Sequence, residues 1–78
     1  MDVLSKLQDI FREIFDDATL VLTRETTPEE IEGWDSLEQI NILMTCEDEF
    51  GIIFELEDIV PPQNVGDVVD MVERKLRQ

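Results

Sequence analysis

Ser36 has the setting that most invites chemistry in this 78-residue chain. It stands in the run Gly33-Trp34-Asp35-Ser36-Leu37-Glu38, at the head of an apolar-periodic stretch that ends at Phe50-Gly51. A hydroxyl at a helix start can cap the helix, attack an electrophile, or carry a group bonded to it. Attack as a catalytic nucleophile, by Ser36 or Thr23, needs a base within hydrogen-bond reach. The chain has no histidine, the usual group for proton transfer near neutral pH. Paired carboxylates do acid–base work only in a cleft that separates their pKa values, and a domain this small has little room for one. Gly33, Gly51 and Gly66 stand apart and form no phosphate-cradling loop, and no calcium-loop pattern of alternating acids is present. The single Cys46 supports neither a disulfide framework nor a metal cluster, and no basic neighbour lowers its pKa. These absences point away from an enzyme and from a metal site.

Two capping arrangements compete at the same place. Ser36 with Gln39 three residues on fits the capping-box template, and Asp35 with Glu38 fits it one residue earlier. A phosphate bonded to Ser36 is compatible with a helix start, because the amide groups there favour an anion.

The elements that must position this serine follow from apolar spacing. Leu4, Leu7, Phe11 and Ile14, widened by Val3, Ile10 and Phe15, predict a first helix over about 2–16. A long connection runs from Asp17 to Asp35, tacked onto the core by Leu20, Leu22 and Ile31. Within it Thr27-Pro28-Glu29-Glu30 predicts one short helical turn, closed by Gly33. A strand at Leu20-Val21-Leu22 is the competing reading, but no partner run with period-two alternation exists. The second helix starts at Asp35 or Ser36 and ends near Phe50, with Gly51 as a left-handed stop. Its wide apolar arc holds Leu37, Ile40, Ile42, Leu43, Met44, Cys46 and Phe50. Glu38, Asn41, Thr45, Asp48 and Glu49 lie opposite, and Glu47 falls inside the arc. Leu56 to Val60 predicts a short third helix stopped by Pro61-Pro62. Asn64 caps a fourth, with Asp67 at its third position. Val65, Val68, Val69, Val72 and Leu76 face inward, and Arg74, Lys75 and Arg77 sit at its carboxyl end. The expected fold is all-α, one domain over 1–78: a small four-helix bundle with a long first connection and a short third helix. Leu37, Ile40, Met44, Phe50, Ile52, Phe54, Ile59, Val60, Val68 and Val72 are its expected core, since so small a bundle needs nearly all of them.

Charge narrows the partners. Six basic residues stand against twenty acidic ones, a net charge of −14. Lys6, Arg12, Arg24, Arg74, Lys75 and Arg77 all lie towards the ends, and no basic residue interrupts the carboxylates from Glu25 to Glu73. Such a surface repels nucleic-acid phosphates and anionic lipid and attracts basic protein patches. No stretch is long and apolar enough to span a bilayer, and the amino terminus lacks a signal peptide's pattern. A reduced cytoplasmic setting and a monomer fit best.

Asp35-Ser36-Leu37, followed by the amphipathic helix through Glu47-Asp48-Glu49-Phe50, resembles the acyl carrier proteins. Length, acidity, the long first connection and the Phe50-Gly51 ending extend the resemblance over nearly the whole chain. It implies a carrier with no chemistry of its own. A phosphopantetheinyl transferase, assisted by magnesium, would move 4'-phosphopantetheine from coenzyme A onto the Ser36 hydroxyl, and the arm's thiol would hold an acyl group as a thioester. Asp35 and Leu37 match positions that the transferase reads. Glu38, Asn41, Glu47, Asp48 and Glu49 match positions where such carriers meet basic patches on acyl-loading and acyl-processing enzymes. Weak, salt-sensitive docking there suits a shuttle that must release each partner. In related carriers the space between the second and third helices can open to shelter an acyl chain. Two departures stand out: Asn41 where fatty-acid-synthesis carriers often have an acid, and Trp34 where they usually have a small residue. Both suggest a specialised fatty-acid or polyketide-like pathway. Trp34 can equally cap the core beside the first helix. The alternatives are an aminoacyl or peptidyl carrier and an unmodified acidic helical adaptor for a basic partner. Met1 and the absence of linker sequence suggest a free-standing carrier.

Overall fold

Three amphipathic segments become α-helices in the computed structural model, which describes residues 2–77; Met1 and Gln78, the ends of the expected domain, lie outside them. Helix α1 spans Val3–Ile14, α2 Ser36–Phe50 and α3 Val65–Leu76. Two further segments, Pro28–Glu30 and Leu56–Asp58, each form a single 3₁₀ turn, and there is no strand among the described residues. The short third helix is therefore not an α-helix, and the expected four-helix bundle is a three-helix domain. The reason is local. Pro61 pushes the preceding Val60 away from helical dihedrals, and Ile59 is already extended at ψ 97°. A fourth helix also needs something to bury, yet Leu56, Ile59 and Val60 are all exposed.

Each helix starts where a side chain satisfies its first amides. Asp2 accepts the Ser5 amide, so α1 begins at Val3, inside the expected 2–16. Asn64 accepts the Asp67 amide at 3.0 Å, and Asp67 in return accepts the Gln63 amide at 2.8 Å. The capping read from sequence for the last helix is formed. Gly51 closes α2 in the left-handed region at φ 66°.

The core lies where the three helices meet. Val3, Leu7, Ile10 and Phe11 of α1 pack with Ile42, Leu43, Cys46 and Phe50 of α2 and with Val65, Val68, Val69, Met71 and Val72 of α3. Leu22 and Ile31 are buried and Leu20 half-buried, so the long connection is tacked down as expected. Its backbone is also bonded. Arg12 Nε donates to the Leu20 carbonyl at 2.7 Å, and Gln8 Oε1 accepts the Leu22 amide at 2.9 Å. At its far end the first amides of α3 donate to this connection, Val65 to Thr26 and Gly66 to Arg24, each at 2.8 Å. Residue 66 must be small for that approach, because a Cβ there would lie 3.0 Å from the Arg24 carbonyl oxygen.

The expected core needs correction. Phe50, Phe54, Val68 and Val72 are buried and Ile52 half-buried, but Leu37, Ile40, Met44, Ile59 and Val60 are exposed, as is Leu76 in part. At about 100° per residue, Ile42, Leu43, Cys46 and Phe50 fall together on one part of the apolar arc of α2, and Leu37, Ile40 and Met44 continue that arc on the flank beyond Leu43. With only α1 and α3 as neighbours, that flank stays uncovered.

One ion pair ties the carboxyl end of α3 to the second 3₁₀ turn: Lys75 Nζ lies 2.6 Å from Asp58 Oδ2, with both side chains nearly enclosed. Asp58 also accepts the Glu55 amide at 2.8 Å. The Lys75 ammonium first, and that amide next, hold the Asp58 carboxyl below its ordinary value. A carboxyl pKa lower in the folded than in the unfolded chain stabilises the fold at neutral pH, and the effect fades as pH falls through the lowered value, below about 4. Lys75→Met keeps the aliphatic stem and removes the charge. It is expected to lower Tm at pH 7 and to speed amide exchange at Ile59. Both differences from wild type should shrink as pH falls towards 3.

Candidate functional site

Ser36 is the first residue of α2, but it does not cap the helix. The cap is Asp35, whose Oδ1 accepts the Glu38 amide at 2.9 Å. The Glu38 carboxylate does not reach back to complete a capping box; its Oε1 accepts from Asn41 Nδ2 at 2.9 Å. Gln39, the partner expected for a Ser36 cap, turns the other way, and its Oε1 accepts from Trp34 Nε1 at 2.8 Å. Ser36 is thus exposed and relieved of capping, beside the amides of a helix amino terminus.

Trp34 sets this geometry. Its ring is buried edge-to-face against Phe11, with centroids 5.0 Å apart, and Phe11 also meets Phe15 at 5.7 Å. A buried indole needs a partner for its N–H, and Gln39 supplies one from the first turn of α2. Trp34 therefore caps the core beside α1, one of the two roles read for it from sequence. The bond leaves the other half of the amide stranded. Gln39 Nε2 is buried with no acceptor among the described residues. An unpaired buried donor costs about 1–3 kcal/mol. Spacing alone gives no sign of this pair, because residues 34 and 39 do not share a helix face.

Beside Ser36 a groove of about 470 Å³ runs between α2 and the segment that follows the second 3₁₀ turn. Trp34, Gln39, Ile40 and Leu43 form one wall, and Ile59, Val60, Pro61 and Pro62 form the other. Asp35, Ser36 and Gln39 are the polar members of an otherwise apolar lining. Ile40, Ile59 and Val60, expected in the core, are the groove's walls instead.

The other sequence-derived site residues divide into two groups. Leu37 is 68 % exposed, directly beside Ser36. Asn41, Asp48 and Glu49 are exposed and Glu38 is half-exposed, so the acidic side of α2 faces solvent. Glu47 stands apart from them. It is half-buried, and its Oε2 accepts the Phe54 amide at 2.8 Å, fixing the turn after α2. Its place inside the apolar arc was the signal for that role. No group of histidine, cysteine and carboxylate side chains suited to a metal occurs among the described residues, and no helix there is long and apolar enough to cross a membrane.

No family model matches the sequence. The acyl carrier protein of Thermotoga maritima is 31% identical over 75 residues, covering 96% of this chain and 93% of that protein. The chain belongs to the acyl carrier protein family. An acyl carrier protein of an Exiguobacterium species is 42% identical over 55 residues, 70% of each chain. The solution structure of a holo acyl carrier protein from Geobacter metallireducens superposes with a TM-score of 0.86 at 43% identity, covering 99% of this chain and 88% of that one. The protein is a carrier of acyl groups rather than an enzyme, and 4'-phosphopantetheine is the prosthetic group on which such carriers hold them.

A carrier needs its own thiol chemistry kept apart from the arm's. Cys46 is buried in the core, and burial first, with Glu47 and Glu49 adding to it, pushes its thiol up to about 12. The native, unloaded carrier should show no thiol reacting with maleimide at pH 8, and the guanidinium-unfolded chain should show one. Rapid labelling of the native protein would contradict this burial.

Proposed function

We propose that Ser36 is the attachment point of the phosphopantetheine arm and that α2 is the surface read by the enzymes that load and use it. The carrying observation is the division of labour at the helix start: Asp35 caps, so the Ser36 hydroxyl is exposed and uncommitted. The residues present suit the group. A helix amino terminus favours the phosphate. The apolar groove beside it offers cover for a chain that starts at Ser36, and Gln39, whose Nε2 has no acceptor among the described residues, is one of its lining residues. When attached, the arm supplies a terminal thiol that holds the acyl group as a thioester.

The chain's own part is presentation. Asp35 holds the helix start in register, and with the exposed Leu37 it forms the contact for a phosphopantetheinyl transferase. Glu38, Asn41, Asp48 and Glu49 form the docking face for basic patches on acyl-processing enzymes. Glu47 contributes mainly by fixing the turn after α2. Of the two features that suggested a specialised pathway, Trp34 is accounted for by packing on Phe11, so that reading rests on Asn41. An unmodified adaptor gains no support from the structure. We place the carrier in the cytoplasm as a single-domain monomer, consistent with one buried cysteine and a strongly acidic surface.

Intact mass tests the assignment. With coenzyme A and a broad-range transferase, the full chain is expected to gain the mass of one phosphopantetheine, and Ser36→Ala to gain none. In the same assay at low salt, Glu38→Lys with Asp48→Lys is expected to slow loading of a cargo by a cognate basic partner. A mass gain on Ser36→Ala would remove the serine from its role, and an unchanged rate would remove the acidic face from its own.

A further inference from the structure

One buried polar atom, the amide nitrogen of the half-buried Gln39, is unused by the fold. Gln39 follows Ser36 by three residues, which puts both side chains on the same face of α2, and both line the groove. The Trp34 indole N–H can only donate, so it fixes which way the Gln39 amide points: Oε1 towards Trp34, leaving Nε2 as the free donor. That nitrogen is closed off from solvent and meets no acceptor among the described residues. Buried donors are nearly always paired, and one that is not marks a place where a partner belongs. The neighbouring groove walls at Ile40, Leu43, Ile59 and Val60 provide no acceptor side chain.

We infer that Gln39 is the polar recognition element of this groove: as an entering chain parts the groove beside it, its Nε2 donates a hydrogen bond to a carbonyl oxygen of the chain tethered at Ser36, and Trp34 is the positioning residue that aims it. The inference rests on attachment at Ser36. The carbonyl has two sources, an amide of the arm itself or an oxygen of the acyl cargo. A saturated acyl group offers this donor only its thioester carbonyl. A 3-oxo group offers a second oxygen two carbons further on, and where that keto oxygen is the acceptor the groove discriminates between the two by one hydrogen bond.

The test uses the full-length, ¹⁵N-labelled protein in four forms: unloaded, bearing the arm alone, and bearing a saturated or a 3-oxo acyl group of equal length. The last three are made by transferase from the corresponding coenzyme A compounds, and intact mass verifies each. The readouts are the Gln39 side-chain amide and Trp34 indole signals. A downfield shift of the Gln39 amide, with exchange slowed on the order of tenfold, is expected once the carbonyl is present. Appearance with the arm alone assigns the arm as the source, appearance with both acyl groups but not with the arm alone assigns the thioester carbonyl, and appearance only with the 3-oxo cargo assigns the keto oxygen. A second measurement guards against misfolding of a single variant. Trp34→Phe with Gln39→Met removes both partners together and leaves neither unpaired. In wild type, Tm is expected to rise in whichever loaded form shifts the amide, and that rise should be lost in the double variant. Correctly loaded samples with Gln39 signals identical in all four forms, or a double variant that keeps the rise, would overturn the inference alone. A sample that gains no mass at Ser36 overturns the attachment, and the inference with it.

Discussion

The Asp35 carboxylate, bonded at 2.9 Å to the Glu38 amide, is the contact on which the arrangement of this carrier turns. It ends a long connection and begins α2 one residue ahead of Ser36. Had the serine made that bond, its hydroxyl would be engaged in holding the helix start. With Asp35 in that role, Ser36 inherits the favourable end of the helix without being needed to form it. Modification at such a position costs the fold little, because no capping bond has to break.

Packing places the cap. Trp34 is held against Phe11, so the residue that follows it is fixed relative to the core. The Gln39 bond to the same indole ties the first turn of α2 to that anchor. Because the chain is short, α1 and α3 cover only one side of α2. The flank of its apolar arc beyond Leu43 is left to the groove and to solvent, with Leu37, Ile40 and Met44 standing out. In a shuttle that flank is useful surface, since it lies along the same helix as Ser36, the proposed attachment point, and the acidic edge. The Asp58–Lys75 pair holds down the turn from which the facing groove wall departs.

Much of this was legible in the residues, and the failures have physical causes. The first and last helices are amphipathic in one direction only, so their inward faces and the Asn64–Asp67 cap were readable. The apolar arc of α2 is wider than its neighbours cover, and periodicity cannot say which part of it finds a neighbour; that is why Leu37, Ile40 and Met44 were assigned to the core. The segment from Leu56 to Val60 has the composition of a helix, but Pro61 and the absence of anything to bury against reduce it to one turn. Ser36 as the attachment point was an expectation from its local run and from the resemblance that the run carries; the structure adds that its hydroxyl is exposed and does not cap the helix. The choice between Ser36 and Asp35 as cap was open, because both spacings satisfy the template. The Trp34–Gln39 bond was invisible, since it exists only once Phe11 has fixed the indole.

Urea unfolding of Asp35→Ala and Ser36→Ala, side by side in the unloaded protein, tests the central claim most directly. If Asp35 is the cap and the serine is structurally idle, the first substitution lowers stability by about 1 kcal/mol and the second leaves it unchanged within error. A loss of that size in Ser36→Ala, with Asp35→Ala unaffected, would show that the hydroxyl holds the helix and contradict the account.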